Sequence, residues 1–554
     1  MSDLTNILAN IDHTTLFTTV VAVAGVAVAI QLFARSNTKA LLPLPPSPSG
    51  KLPALGHLLA IGMSPHLTFT RWAKTLGPIF CVQMGAKTWI ILNSPKVIRD
   101  IIDLRGGNYS DRGSNVIIKA LSRNGEMYAF SEYGDYLRMC RKLTNNTLSK
   151  NKVQTLHKPI FDNESRNLLT LLLRDGRRPE GARADDLIFL YTVSFALIEQ
   201  MVIVFRVAFL VFYRQEFQFC ILIPFMPFTI QQANVIMMLL YAKRWDSPTD
   251  PFYQEVRSIN NAFTAFFQDL VLDFFPILTP LFAGKIAKAK TVQDRIIAYT
   301  GPLVEEVRQK LKNGEKVPCI TAEFVEAQRV ENFSDMGIIQ TTGGFTLAGI
   351  ESTMSALLNS IIVLANHPEI QQRFFDELYN VVGPDRLPEE ADVLNTPYVE
   401  AFILEVLRFR PATFFGVPHA GVNEDEYEGY RIPAGALVVM NLHALHFDET
   451  TFPNAEIFDP TRWLTEDGLC DSKMQHWAFG GGRRVCPGQF MAETSIRTTL
   501  SRLVWAFRIE FPLDSQGNPV PVPIPAPTRI DCMPAPFNMR FIPRRENVAR
   551  VVSL

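Results

Sequence analysis

The residues best placed to do chemistry lie in one loop. Phe479, Gly480, Gly481, Gly482, Arg483, Arg484, Val485, Cys486, Pro487 and Gly488 follow one another, and a helical pattern begins just after them. The run fits F-x-x-G-x-R-x-C-x-G. A cysteine thiolate is a soft anionic ligand that suits haem iron. Glycines let the backbone curl beneath a flat ring. Amides at the start of the next helix stabilise negative charge on the sulfur. Arg484 is suited to pair with a carboxylate of such a ring. A lone cysteine beside a glycine-rich turn would read as an ordinary buried thiol; the full ten-residue pattern reads as a ligand. A phosphate-binding loop fits poorly, because G-x-G-x-x-G is not met and no Lys-Ser/Thr follows.

This loop resembles that of the cytochrome P-450 family of haem-thiolate monooxygenases, in its microsomal, membrane-anchored, fungal-like form. The resemblance implies Cys486 as the metal ligand and haem b (iron protoporphyrin IX) as cofactor, with Phe479 and Arg484 beside it. Glu405-Val406-Leu407-Arg408 matches the family's E-x-x-R. Alone, an i,i+3 acid–base pair is most often a solvated surface pair. The family adds an arginine ahead of the cysteine, here Arg462 in Phe458-Asp459-Pro460-Thr461-Arg462-Trp463. Glu405, Arg408 and Arg462 are thus implied to form a structural triad that holds the haem-side core and does no chemistry.

Ala348-Gly349-Ile350-Glu351-Ser352-Thr353 matches [A/G]-G-x-[D/E]-T-[T/S], with Ser352 where the family has threonine. By resemblance Glu351, Ser352 and Thr353 relay protons to oxygen, a general-acid task, and Gly349 lets the ring approach and leaves room for oxygen. Serine lacks the methyl that restricts threonine's rotamer, so looser proton delivery and more peroxide are expected. A helix kink with small packing residues fits the same stretch. The family's W-x-x-x-R is met by Leu137 and Arg141. One hydrogen bond to a ring carboxylate is therefore expected to be missing, while Arg141 remains. Val417-Pro418-His419 matches a further anchor, with His419 donating to a carboxylate; a histidine alone is otherwise just a satisfied polar residue. His443 and His446 could be mistaken for a metal pair, but no third ligand lies nearby in sequence.

Elements must hold these residues in place. Residues 79–92 alternate and are β-branched, which predicts a hairpin. Helical patterns cover 136–148, 300–311 (with Gly314 as a stop), 369–382, 397–408 and 491–507. Residues 335–365 are weakly charged and rich in small side chains, which predicts a buried helix. A short strand is expected at 437–441. These patterns predict a mainly α chain with a few strands, and the resemblance implies a cytochrome P-450 fold with a helix-rich domain and a small β subdomain, preceded by one transmembrane helix.

That helix is read at 14–34, after a short luminal N-terminus at 1–13. Residues 14–33 carry no charge, and about twenty apolar residues span the hydrocarbon core. Asp3 and Asp12 precede the run; Arg35 and Lys39 follow it. The positive-inside rule then leaves the catalytic domain cytosolic, on a single-pass protein of the endoplasmic reticulum membrane. A cleaved signal peptide would have a basic start and a shorter apolar run. A basic, Pro-rich linker follows at 35–56, a semi-rigid spacer. The catalytic domain runs over 57–544 and a tail over 545–554. Residues 202–238 are out of character, with seven Phe and no Gly, Asp or Lys. Removing them joins the flanks into one helix and loop, so they read as an atypical insert and as a translated, unspliced intron. The other reading is a second membrane-contact loop.

The net charge is −1, from 54 Lys+Arg against 55 Asp+Glu, which gives no electrostatic case for nucleic acid. Seven widely spaced cysteines without C-x-x-C exclude a disulfide scaffold and a zinc ribbon. No flavin or nicotinamide motif is present. The resemblance therefore implies electrons from NADPH through a membrane-bound NADPH-cytochrome P-450 reductase, with cytochrome b5 as a second donor. Arg138, Arg141 and Lys142 are candidates for its docking face. Positions matching the family's substrate contacts, 117–121, Phe345 and 413–415, are largely apolar and aromatic. They predict a small lipophilic or aromatic substrate that receives one oxygen atom from O2. The Pro-rich stretch 512–527 is expected to be a hairpin loop near the pocket mouth. Two other readings stand: a haem-thiolate enzyme of the peroxide-dependent or isomerising kind, and a non-functional mis-spliced product.

Overall fold

The hairpin expected at 79–92 forms in the computed structural model as β1 (Ile79–Met84) and β2 (Lys87–Leu92), paired antiparallel. The structure describes residues 42–113, 115–175, 188–189, 221–222, 226–267, 270–471 and 473–554. The anchor read at 14–34 and the luminal stretch before it lie outside them. β2 pairs parallel with Leu437–Met440, which in turn pairs antiparallel with His419–Ala420. Alternate residues leave the hairpin on opposite faces, so both faces are apolar. Ile79, Cys81, Ile90 and Leu92 enter one cluster; Phe80, Val82 and Ile91 enter another.

The helices that matter to the site are α1 (Pro65–Leu76), α2 (Val116–Leu121), α3 (Asp135–Thr147), α4 (Lys158–Asp175), α5 (Met226–Tyr241), α6 (Pro251–Phe267), α7 (Ala283–Lys312), α8 (Asp335–Asn366), α9 (Pro368–Val382), α10 (Pro397–Phe409), α11 (Gln489–Ala506) and α12 (Val548–Ser553). The expected positions of α3 and α8 to α11 agree within two residues. Helix α7 begins much earlier than its predicted start at 300, and Pro302 lies inside it. Proline there weakens the local signal, but the buried face from Ala289 to Val307 carries the helix through.

Helix α8 is the central element. Ser334 caps it, its side chain accepting from the Gly337 N–H. Among the described residues it is the one helix long and apolar enough to cross a bilayer, yet most of it is buried inside the protein. Its C-terminal half joins α4, α9, α10 and α11 in one core; its N-terminal half joins α2, α3, α5, α6 and α7 in a second.

Three readings of chain organisation change. The tail at 545–554 contains α12, whose Val548, Val551 and Val552 are buried in the first core, so it belongs to the domain. The linker is not a free spacer along its described part. Pro46 O accepts from Cys81 N and Pro43 O from Arg431 N, which ties it to the sheet. The supposed insert 202–238 takes in α5 except its last three residues. Phe228, Ala233, Val235, Ile236 and Met237 of α5 are buried, and the helix packs on α4 and α8. Asn234 clasps Trp245 in both directions, at 3.0 and 2.9 Å. Excising 202–238 would remove a core helix.

Candidate functional site

Cys486 sits where the sequence pattern required an unusual backbone. Gly480 and Gly482 adopt φ of +76° and +60°, and a Cβ on Gly482 would lie 2.4 Å from Ile102 O. Only glycine fits that turn. Cys486 N donates to Phe479 O at 2.9 Å, closing the loop. The chain then enters α11, with Gly488 as its N-cap. The Cys486 side chain is accessible. Burial by the surrounding protein raises its pKa, while the Gly488 N–H and the Arg141 charge pull it down. The exposed thiol thus lies near a backbone donor and within the field of the Arg141 charge.

Three buried or half-buried guanidiniums converge beside it. Arg484 donates through Nε to Ser110 O at 2.7 Å and also to the carbonyls of Tyr128 and Ser131. Arg141 donates to Tyr128 Oη and to Val485 O, both at 3.1 Å. Arg112, which motif reading missed, donates to Ala129 O, Val417 O and Pro418 O at 3.1, 2.6 and 3.0 Å. Their partners are carbonyls and a phenol rather than carboxylates, so the positive charge is not neutralised by these contacts. Burial, then repulsion by Arg484, lowers Arg112 to about 9. Burial lowers Arg484 to about 10. A cluster of this kind calls for anions. His419 lies against it. Burial and the Arg112 charge lower it to about 3, so its ring is neutral. Its Nδ1 lies 2.7 Å from Tyr109 O, an acceptor, so the single ring proton is committed there. Donation to a carboxylate, as the resemblance implied for His419, would use Nε2 and so requires the ring to be protonated.

Helix α8 presents one accessible stripe within its buried length. Ala348 and Ser352 are exposed and Phe345, Gly349 and Glu351 are half-buried, while most residues on either side are buried. Phe345 meets Tyr128 edge-on at 5.6 Å, and Tyr128 leads through Arg141 to the Cys486 loop. The stripe and the thiol thus share a wall. Ser352 Oγ donates to Ala348 O at 2.8 Å. Burial raises the Glu351 carboxyl to about 7, against the opposing hydrogen bond from Asn260. Thr353 is buried at 4% exposure, off the accessible stripe that carries Glu351 and Ser352. Gly349 also has a different reason to be glycine. A Cβ there would lie 2.5 Å from Ile236 Cδ1, so the position also serves the packing of α5 on α8.

The triad residues meet as the resemblance implied. Arg408 forms a two-pronged bond to Glu405, Nε to Oε2 at 2.8 Å and Nη2 to Oε1 at 2.7 Å, with both side chains fully buried. Arg462 Nε joins Oε1 at 3.1 Å. Trp463 Nε1 and Asp459 N complete the carboxylate shell at 2.8 and 3.0 Å. Arg408 also donates to His446 O at 2.6 Å.

Other expected contacts divide. Phe414 and Phe415 are buried; Phe414 stacks on His66 at 4.8 Å and Phe415 on Phe69 at 5.5 Å, so both belong to the packing of α1. Ile117 and Leu121 are buried in the second core. His443 accepts or donates at Thr70 Oγ1, 3.0 Å away, and stacks on Phe447; no cluster of three or more His, Cys, Asp or Glu residues able to hold a metal ion occurs among the described residues. Arg141 points at the Cys486 loop and cannot also form a docking face. Arg138 and Lys142 are exposed but pair with Asp135 and Glu331. The Pro-rich stretch folds back, with His66 Nε2 2.6 Å from Pro527 O. All six described cysteines are free thiols.

Comparison with known proteins agrees with this geometry. The family model described as Cytochrome P450 matches residues 45–212 and 226–527. A protein named cytochrome P450 monooxygenase fogE, from Aspergillus ruber, is 30% identical over 92% of this chain and 88% of its own. Cytochrome P450 monooxygenase virE of Hypocrea virens is 28% identical over 92% and 87%. A trans-cinnamate 4-monooxygenase of Glycyrrhiza echinata is 26% identical over 84% and 87%. An accessible thiol held at a helix start, a cluster of arginines hydrogen-bonded to carbonyls and a phenol, and an acid and a hydroxyl on one stripe of α8 fit a haem monooxygenase, and with this match the chain belongs to the cytochrome P450 family.

Proposed function

We propose that the protein hydroxylates a small lipophilic or aromatic molecule at the cytosolic face of the endoplasmic reticulum. The observation that carries this reading is the accessible Cys486 thiol beside Arg112, Arg141 and Arg484. A thiolate for iron and cations for ring carboxylates fit haem b. Cys486 would hold the iron, and the three arginines the propionates. When bound, haem supplies the binding and reductive activation of oxygen.

The chain's own residues do the rest. The Gly488 N–H keeps charge on the Cys486 sulfur. Glu351, near half-protonated at neutral pH, holds a proton for release toward the cleft, and the exposed Ser352 hydroxyl passes it on. Thr353 has no part in this relay, and Phe479 shapes the loop through its carbonyl. The Glu405–Arg408–Arg462 triad keeps α10 and the loop before Cys486 in register.

Electrons come from NADPH through a membrane-bound reductase, with cytochrome b5 as a second donor, and residues 14–34 anchor the chain beside it. Phe345 and Tyr128 at the stripe favour aromatic or lipophilic substrates. Relatives named trans-cinnamate 4-monooxygenase point the same way.

The test is a carbon monoxide difference spectrum on dithionite-reduced membranes, followed by turnover with purified reductase and NADPH on a panel of aromatic and lipophilic compounds. A red-shifted Soret band and NADPH-dependent hydroxylation are expected. A thiolate band with turnover only on added peroxide would overturn the reductase-driven reading.

A further inference from the structure

Trp477 is buried just ahead of the Cys486 loop. Its backbone N–H donates to His446 Nε2 at 3.0 Å. Its carbonyl accepts from the Gly480 N–H at 2.9 Å, and so begins the turn that the Cys486 N–H closes on Phe479 O. The same histidine is tied to the triad at its other end. Its carbonyl accepts from Arg408 Nη1 at 2.6 Å, and Glu405 holds that arginine. One residue therefore joins the triad to the loop, by its backbone on one side and by its ring on the other. His446 ends the short helix Leu442–His446 and is fully buried. An amide N–H can only donate, so Nε2 carries no proton and the ring proton sits on Nδ1. Nδ1 is buried with no hydrogen-bond partner among the described residues.

We propose that His446 is a positioning residue for the Cys486 loop, carrying the seating of the Glu405–Arg408–Arg462 triad to the thiolate through the Trp477 amide. The inference rests on Cys486 as the iron ligand proposed above. Without the imidazole nitrogen the buried Trp477 N–H would be orphaned. The turn that begins at the Trp477 carbonyl would lose its fixed point, and Cys486 further along the same loop its placement. The acceptor works only while the ring is neutral. Burial holds the His446 pKa well below its ordinary 6.5, and the charges of His476, Arg408 and His443 add to that. Arg408 faces the ring from α10, His443 from its own short helix, and His476 from the segment before Trp477. His476 in turn lies against Phe479 and Trp463, at 5.9 and 6.1 Å. The Glu405 carboxylate is occupied by Arg408, Arg462 and Trp463. The folded chain thus binds a proton at His446 less readily than the unfolded chain. The stability that this residue contributes is whole above pH 6.5 and falls as pH drops below it.

Two readouts on the haem-loaded full chain test the proposal. One is hydrogen exchange at the Trp477 amide, followed by mass spectrometry. The other is the thiolate band of the carbon monoxide complex. In His446→Leu, exchange at Trp477 is expected to be about tenfold faster, and the thiolate band is expected to give way to that of haem without a thiolate. His446→Gln, which offers an amide oxygen near the place of Nε2, is expected to restore both. Unchanged exchange in His446→Leu overturns the proposal. So does fast exchange beside an intact thiolate band, or a glutamine variant that fails to restore the two. Should the leucine variant not load haem, acid titration of the thiolate band decides. A glutamine oxygen takes up no proton in this range, so the band of His446→Gln is expected to survive to lower pH than that of the unsubstituted chain. Loss at the same pH in both overturns the proposal. Failure of the underlying reading looks different: the unsubstituted chain would bind haem without a thiolate band, or Cys486→Ser would keep that band.

Discussion

Ile236 of α5 lies so close to Gly349 of α8 that a Cβ on the glycine would come within 2.5 Å of the isoleucine Cδ1. Two segments far apart in sequence are thereby locked at a small-residue contact. The clash falls on Ile236 Cδ1 with Cγ1 also close at 3.1 Å, so the isoleucine must shift to admit a methyl. Gly349→Ala is expected to cost about 1–3 kcal/mol by overpacking. Ile236→Val, which removes that methyl, is expected to recover most of it. Thermal melts of the four members of this cycle measure the coupling. Additive losses would refute the contact.

The same contact separates two deletions. Removal of 202–238 takes Ile236 and most of α5, and is expected to abolish the thiolate band. Removal of 213–225, which the family match leaves out, is expected to preserve it. Carbon monoxide spectra of both, beside the full chain, give the answer. A normal band after the longer deletion would show that α5 is dispensable.

Arg408→Ala leaves Glu405 buried without its main partner. Breaking a buried pair costs about 3–5 kcal/mol, and Arg462 and Trp463 cannot supply the lost two-pronged bond. Haem incorporation is expected to fail. Arg408→Lys is expected to fail as well, since an ammonium cannot bridge both oxygens. A soluble variant with a full haem complement would contradict this.

Asp273 supplies a pH test. Its carboxyl is buried and raised to about 6, mainly by desolvation, with Lys87 3.7 Å away opposing the shift. A raised pKa means the folded chain binds the proton more tightly than the unfolded chain. Stability is then greatest below the unfolded value and falls as pH rises through the window from about 4 to 6. Asp273→Asn is expected to remove that fall, a difference of up to about 3 kcal/mol between the ends of the window. Melting temperatures of both proteins at several pH values, compared as a difference, check the sign. A parallel offset at every pH would contradict it.

Much of the site was legible because it is local in sequence. The Cys486 loop needs its glycines within ten residues, Glu405 and Arg408 lie one turn apart, and α8 announces itself by a long, weakly charged stretch. Periodicity and backbone constraint act over short distances, so a single sequence displays them. The structure decided what depends on distant segments meeting. Arg112 joins the cation cluster by reaching carbonyls more than 300 residues away. Trp463 completes the Glu405 shell from a separate segment. Ser352 and not Thr353 faces the open stripe because of where neighbours bury α8. The helix inside 202–238 was misjudged for the same reason. Its apolar residues looked foreign in sequence, and only the buried faces of α4 and α8 show what they are for. Composition records how much apolar surface a chain carries; which surface covers which is settled by packing, whose partners are set by the tertiary fold.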